Sequence, residues 1–348
     1  MKFDVSIVGA GPAGLATAIC CAEAGLKVCV LERSSFPRPC VGESVHPGAE
    51  ALFRRLGIAE DVASAGFLRY SGIWVSRDGK KEFHAFGGSA QEPWKGLHLW
   101  RPDFDQMLLN RARAAGAVCI EECNPFEAEV INKKVKIRSN VGPIESLVVV
   151  DGTGRSRWLA RQWRFKLETY SRMLVARYGY QQGCCSTCSD GPLFVPRQDG
   201  WDWTARVRTD LYQWISLRFG GHKSVHECPP RELQQLRETG PQRGADVTWR
   251  LAAEPAGRHH FLVGDACAVL DPSSSHGIIR ALSSGILAAT CIREVLRQGF
   301  RNYSGVVQGY CTWQRKWFQE DVSVLRNLSE WPKAVNSWSE TSRASLLA

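Results

Sequence analysis

Between Val263 and Ile278 the chain reads Gly264-Asp265-Ala-Cys-Ala-Val-Leu-Asp271-Pro272-Ser-Ser-Ser275-His276-Gly277. An apolar run, Phe261 to Val263, precedes it, and a helix-like pattern from Ile278 to Ala289 follows. A strand that ends in Gly-Asp and passes through a Pro/Ser/Gly loop into a helix makes a turn suited to anions. Asp265 can accept from a sugar hydroxyl, and the free N–H groups of the new helix can face a phosphate or an electron-rich ring. An ordinary strand–loop–helix turn has the same outline, so this segment alone leaves both readings open.

The N-terminus supplies the second half. Phe3 to Val8 is a short apolar strand, followed at once by Gly9-Ala-Gly11-Pro12-Ala13-Gly14, an Ala/Leu/Cys-rich helix pattern to Gly25, and a second apolar run, Lys27 to Leu31, ending in Glu32. This is the dinucleotide fingerprint in its proper setting. Gly9 allows the tight turn, Gly11 lets the backbone approach a pyrophosphate, and Gly14 lets helix and strand pack closely. Glu32 stands where an acid binds ribose hydroxyls, and Arg33 beside it leaves room for an NADP reading. Domains for nicotinamide nucleotides do not usually close their site with a distant second Gly-Asp loop. The flavin half of FAD needs its own cradle, so the pair of motifs argues for tightly bound FAD.

These segments require a parallel, Rossmann-like sheet to carry them. The expected fold class is α/β, with an inserted, mostly antiparallel β-sheet domain of α+β character and C-terminal helices. Tyr70 to Ser76 and Lys81 to Phe86 alternate around Asp78-Gly79, a hairpin signature. Residues 101–116 read as a helix ending at Gly116, and a short helix is expected near Arg231 to Glu238. The expected division is a discontinuous FAD-binding domain (1–65, 96–164 and 256–299), a β-sheet substrate domain (66–95 and 165–255) and a helical segment (300–348) with a frayed end near Thr341.

At 348 residues the chain can bury a large core, and 44% hydrophobic with 23% charged residues is ordinary for a globular protein. No signal-peptide pattern and no apolar run of membrane-spanning length is visible. Thirteen cysteines, several in apolar contexts, fit a reducing compartment, so the expected location is cytoplasmic. Cys184-Cys185-x-x-Cys188 has no second Cys/His pair at ligand spacing, so it reads as a loop with incidental cysteines and no metal is expected. The net charge of +9 is dispersed, which argues against nucleic acid and suits an anionic cofactor or an acidic protein partner. Thirteen tryptophans fit core positions and an aromatic-lined cleft for a planar substrate.

The order of motifs resembles the FAD-dependent monooxygenase superfamily with the p-hydroxybenzoate hydroxylase-type fold, over nearly the whole chain. The resemblance implies that Gly9 to Gly14 and Glu32 take the AMP half of FAD. It implies that Arg101, in Arg-Pro-Asp-Phe-Asp, reaches the pyrophosphate and ribitol, that Gly264-Asp265 takes the ribitol, and that Pro272 to Gly277, with Ile278 behind, lies against the isoalloxazine. Asp151-Gly152 matches a further motif at a strand end. Cys40-Val-Gly42-Glu43-Ser44-Val-His46-Pro47 resembles the Gly-Glu-Ser-x-x-Pro segment of the tryptophan-halogenase-like branch. The second loop is similar to that of the LodB/GoxB/QhpG flavoproteins of quinone-cofactor maturation.

Two departures matter. Halogenases of this kind carry the active halogen on a lysine in the segment after Gly-Glu-Ser, and here Gly66 to Gly72 contains none; Lys80 and Lys81 fall in the hairpin turn. The halogenase Trp-x-Trp-x-x-Ile-Pro is Trp201-Asp-Trp203-Thr-Ala-Arg-Val here. The reading is therefore a monooxygenase that hydroxylates a protein tryptophan through a flavin C4a-hydroperoxide, in maturation of a cysteine tryptophylquinone-type cofactor. It implies three partners: the precursor of an amino-acid or amine oxidase, molecular oxygen, and an electron donor such as reduced flavin or NAD(P)H. Glu43, Ser44, His46 and His276 are the candidate catalytic residues, with Arg69 a weaker one, and Gly42 joins the cofactor set. Alternatives are a hydroxylase or halogenase of a small aromatic natural product, a geranylgeranyl-reductase-like oxidoreductase, and a non-enzymatic, flavin-bearing assembly partner.

Overall fold

The computed structural model describes residues 1–326 apart from 90, 189–190, 198 and 220–227. Strands Val5–Val8, Val28–Leu31 and Val148–Asp151 are buried along their whole length, as expected of parallel strands covered on both faces. They form the centre of a six-stranded sheet, with Val5 in register with Val28 on one side and Val148 on the other. His260–Leu262 pairs parallel beyond Val148–Asp151, and Val118–Ile120 pairs parallel beyond Val28–Leu31. The ends of the first and last motifs thereby meet at one edge of the sheet, where doubly wound folds place ligands.

Helix α1 (Pro12–Glu23) makes the first crossover, with Pro12 in its first turn, where the missing N–H costs nothing. Helices α2 (Ala49–Arg55) and α3 (Ala59–Ser64) follow the Glu43–Val45 strand. Helix α4 (Arg101–Ala114) ends at Gly116, whose φ of +99° is open to glycine. After the short α5 (Trp158–Gln162) comes the long α6 (Gly277–Arg297), which lies on α1. Gly285 permits that approach, because a β-carbon there would stand 2.4 Å from the Ala13 carbonyl. Helix α7 (Tyr303–Arg326) closes the described chain; the rest of the expected 300–348 segment lies outside the described residues.

A second, mainly antiparallel sheet of eight strands runs from Arg237–Glu238 through Val175–Gln182, Leu211–Arg218, Gly200–Arg208 and Leu193–Arg197 to the Gly72–Arg77/Lys80–Ala85 hairpin. Asp78 and Gly79 both take positive φ in the hairpin turn. A three-stranded sheet, Glu43–Val45, Gly96–Leu99 and Leu68–Tyr70, sits between the two larger ones. One local expectation fails. Arg231 to Glu238 is a single 3-10 turn (Arg231–Leu233) followed by an edge strand, because Leu233 is drawn into a small core with Tyr212 and Trp214 while Arg237–Glu238 pairs with Gln181 and Gln182. No helix among the described residues is long and apolar enough to cross a membrane.

Candidate functional site

The glycine turn after Val8 is closed by contacts that admit no side chain. A β-carbon on Gly9 (φ +98°) would stand 2.5 Å from the Gly152 carbonyl, and one on Gly14 would stand 2.1 Å from the Gly9 carbonyl. Glu32, buried at the end of the next strand, accepts from the Ala10 N–H at 2.8 Å and the Ser34 N–H at 3.1 Å. Its carboxylate thus fixes the turn and keeps further lone pairs for hydroxyl donors. Arg33 is exposed on the wall of the same cleft.

Inward from Glu32 runs a ladder of charges. Arg38 lies 3.5 Å from Glu32 and donates to the Ala10 carbonyl at 3.0 Å and to Asp105 at 3.2 Å. Asp105, fully buried, takes the Nε and Nη2 of Arg101 at 2.7 and 2.9 Å, and Arg101 Nη1 reaches Glu43 at 2.7 Å. Burial pushes the Glu43 carboxyl up, Arg101 pulls it down, Asp265 adds to the rise, and the net direction is upward. Arg38 and Asp105 escaped the sequence reading. Asp105 stands one helical turn after Arg101, so that spacing was the available signal; nothing local marks Arg38.

The second loop meets this ladder from the other side. Gly264 (φ +56°) brings its N–H to Ser284 Oγ at 2.9 Å, and a β-carbon there would meet Ala13 at 2.9 Å. Asp265 lines the cleft next to it. Asp271 accepts from the Ser273 N–H at 2.9 Å and the Trp201 indole N–H at 3.4 Å, and burial pushes its carboxyl up. After Ser275 (φ +52°) helix α6 starts at Gly277, where a β-carbon would lie 3.4 Å from Glu43 Oε2. Gly42, Glu43, Gly277 and Ile278 are therefore neighbours on the cleft wall.

The four candidate catalytic residues divide. Glu43 and Ser44 line the cleft. His46 and His276 do not stand among its described lining residues. His46 Nδ1 accepts from the Gly48 N–H at 3.1 Å, with its ring edge-on to Phe86; burial, then the neighbouring charge of His276, lowers it to about 4. His276 turns toward α7, where its Nδ1 lies 3.1 Å from Asp321 Oδ1 and its ring packs edge-on against Trp317. Burial raises Asp321, yet the charges and bonds of His276 and Arg280 win and hold it low. Arg69 is exposed and paired with Glu50 at 3.0 Å, away from the cleft.

Opposite the loops, the eight-stranded sheet presents an aromatic wall of Tyr178, Tyr180, Trp201 and Trp203, with Trp100 edge-on to Tyr180. Together the walls enclose a continuous cavity of about 1140 Å³. Single small ligands occupy roughly 300–1,000 Å³, so the space suits a long cofactor and a second molecule. FAD fits the residues present: a glycine cradle and buried acid at one end, arginines between, and a Pro/Ser/Gly loop before a helix at the other. No lysine stands among the described lining residues. Cys185 and Cys188 are buried in a small apolar core while Cys184 is exposed.

Residues 2–135 match the FAD binding domain family FAD_binding_3. A 1H-pyrrole-2-carbonyl-(peptidyl-carrier protein) brominase of Pseudoalteromonas luteoviolacea is 27% identical over 330 residues, 85% of this chain and 78% of the brominase. Tryptophan 2-halogenase of Chondromyces crocatus is 28% identical over 327 residues, 84% of this chain but only 61% of that relative. The solved structure of a triple mutant of the flavin-dependent brominase Bmp2 superposes with a TM-score of 0.84 at 22% identity, covering 99% of this chain and 93% of the other.

FAD is the cofactor of this chain, which is a flavin-dependent oxidoreductase with tryptophan-halogenase-like relatives.

Proposed function

We propose that this chain oxidatively substitutes the ring of a small, electron-rich aromatic, with halogenation as the leading reaction. The observation that carries the reading is the likeness to halogenases over some five-sixths of the sequence, together with an aromatic wall facing the flavin loops. The weight thereby moves from hydroxylation of a protein tryptophan to the small-molecule alternative, since the relatives above are halogenases and none is a quinone-maturation protein.

Bound and reduced, FAD supplies the electrons that activate oxygen. The protein's part is binding, orientation and exclusion of water. The Glu32–Arg38–Asp105–Arg101 ladder and the glycine turn would hold the dinucleotide, with Asp265 at the ribitol. Trp201 and Trp203 would orient the substrate ring, and Trp201 is itself held by Asp271 of the second loop. Glu43, whose carboxyl is pushed up by burial and bonded to Arg101, would sit at the junction of cofactor and substrate. Substitution then breaks one ring C–H bond, and its proton must leave to an acceptor in the cleft.

Hydroxylation is the second reading, favoured by one observation: no lysine stands among the described cleft-lining residues. Holoprotein with reduced FAD, oxygen and either bromide or chloride, offered indoles, phenols and pyrroles, separates the two by product mass. A halogen isotope pattern supports the first reading, and an added oxygen atom independent of halide supports the second. No ring product with any of them defeats both.

A further inference from the structure

Ser44 and His98 stand directly opposite one another in the small three-stranded sheet, so their side chains share one face. Ser44 Oγ lies 2.9 Å from His98 Nδ1. The imidazole is 3% exposed and stacks on Tyr70 at 4.3 Å with an interplanar angle of 17°. Gly96 makes that stack possible, since a β-carbon there would stand 2.7 Å from Tyr70 Cζ. Tyr70 in turn donates to the Val45 carbonyl at 3.2 Å. The ring of His98 is therefore locked, while Ser44 lines the cleft next to Glu43.

Burial first, and the charge of Arg206 second, depress His98 to about 3. It is neutral at any working pH and carries one N–H and one lone pair. Tyr70 gives its own hydrogen to Val45 and so offers its oxygen to Ser44 as an acceptor, which leaves the hydrogen of the Ser44–His98 contact on Nδ1. An N–H donated to the Ser44 oxygen leaves the serine's own hydrogen to be given elsewhere, and hydrogen bonds in such a chain polarise one another. Two acceptors are then in reach: the nearby Tyr70 oxygen inside the sheet, and whatever occupies the cleft.

We propose that His98 is a positioning residue that donates through Nδ1 to Ser44, making the Ser44 hydroxyl a hydrogen-bond donor toward the ligand in the cleft. This rests on the aromatic-substitution reading for its catalytic consequence, but not for its hydrogen-bond pattern.

Two measurements test it. Nitrogen-15 NMR of histidine-labelled holoprotein should find His98 neutral and protonated on Nδ1 from about pH 5 to 8, with Nδ1 shifted in Ser44→Ala; an Nε2–H tautomer overturns the proposal. In the reconstituted enzyme, Ser44→Ala and His98→Leu should each lower product formed per oxygen consumed about tenfold, equivalent to about 1.4 kcal/mol. The double variant should be no worse than either single one, and FAD affinity should be unchanged in the His98 variants. His98→Asn, which can still present an N–H to Ser44, should recover most of the loss. Additive losses, full coupling in His98→Leu, or no rescue by asparagine overturn the proposal. If His98→Leu does not fold, or no aromatic yields product, the tautomer and its response to Ser44→Ala decide alone.

Discussion

Asp105 Oδ1 accepts from Arg101 Nε at 2.7 Å within one turn of α4, and the carboxylate is fully buried. The same carboxylate also holds Arg38, so one buried acid fastens the arginine beside Glu43 to the arginine beside Glu32. A buried ion pair adds little net stability, but removing one partner strands the other.

Asp105→Ala should therefore destabilise the protein by about 3–5 kcal/mol and weaken FAD binding together. Urea denaturation and flavin-fluorescence titration measure the two effects. A variant of unchanged stability would contradict the ladder.

Glu32→Gln keeps the shape of the side chain but removes the charge that fixes Ala10, Ser34 and Arg38. Hydrogen bonds to a charged group are worth about 1.5–3 kcal/mol, so FAD affinity should fall by tenfold or more. Titration of apoprotein with FAD reads this directly, and wild-type affinity would rule out the assigned role.

His276→Asn should lower stability and leave the chemistry largely in place. The residue secures the second loop to α7 through Asp321, and its imidazole is absent from the described cleft lining. Thermal unfolding and turnover number separate the effects: a hundredfold fall in turnover (about 2.7 kcal/mol) at unchanged stability would restore a catalytic role.

Stability should also decline on mild acidification. His46 and His260 are held at about 4 and His98 at about 3, in each case chiefly by burial, against an ordinary value of 6.5. These folded values lie below the unfolded one, so the unfolded chain takes up protons first as pH falls. Stability is full above about pH 6.5 and drops between there and about pH 4, by up to about 1.4 kcal/mol per pH unit for each histidine. Denaturant midpoints from pH 7.5 to 5 test the slope, and His260→Asn should flatten it.

Much of the candidate cofactor site was legible in the sequence, because its requirements are local. A turn at positive φ, a helix that must approach a strand, and an acid at a strand end each demand a residue type at a fixed spacing. Gly9, Gly14, Glu32 and Gly264 occupy such positions, and the hairpin at Asp78-Gly79 was readable for the same reason. The expected helix at Arg231 to Glu238 failed because an edge pairing and a small core outweighed its local preference.

What residues do for one another across the chain was not legible. Arg38 acquires its role from Asp105, far along the sequence, and His98 from strand register that sets it opposite Ser44. His276 sits in the most suggestive loop of the chain, yet the first turn of α6 directs its ring to Asp321 instead of the cleft. The sequence alone determined that a tight glycine turn with an acid at the next strand end and a second Gly-Asp loop before a helix exist, since backbone geometry is encoded residue by residue. Only the tertiary structure decided which charges and hydroxyls face the cavity, because that depends on which distant side chains are buried beside them.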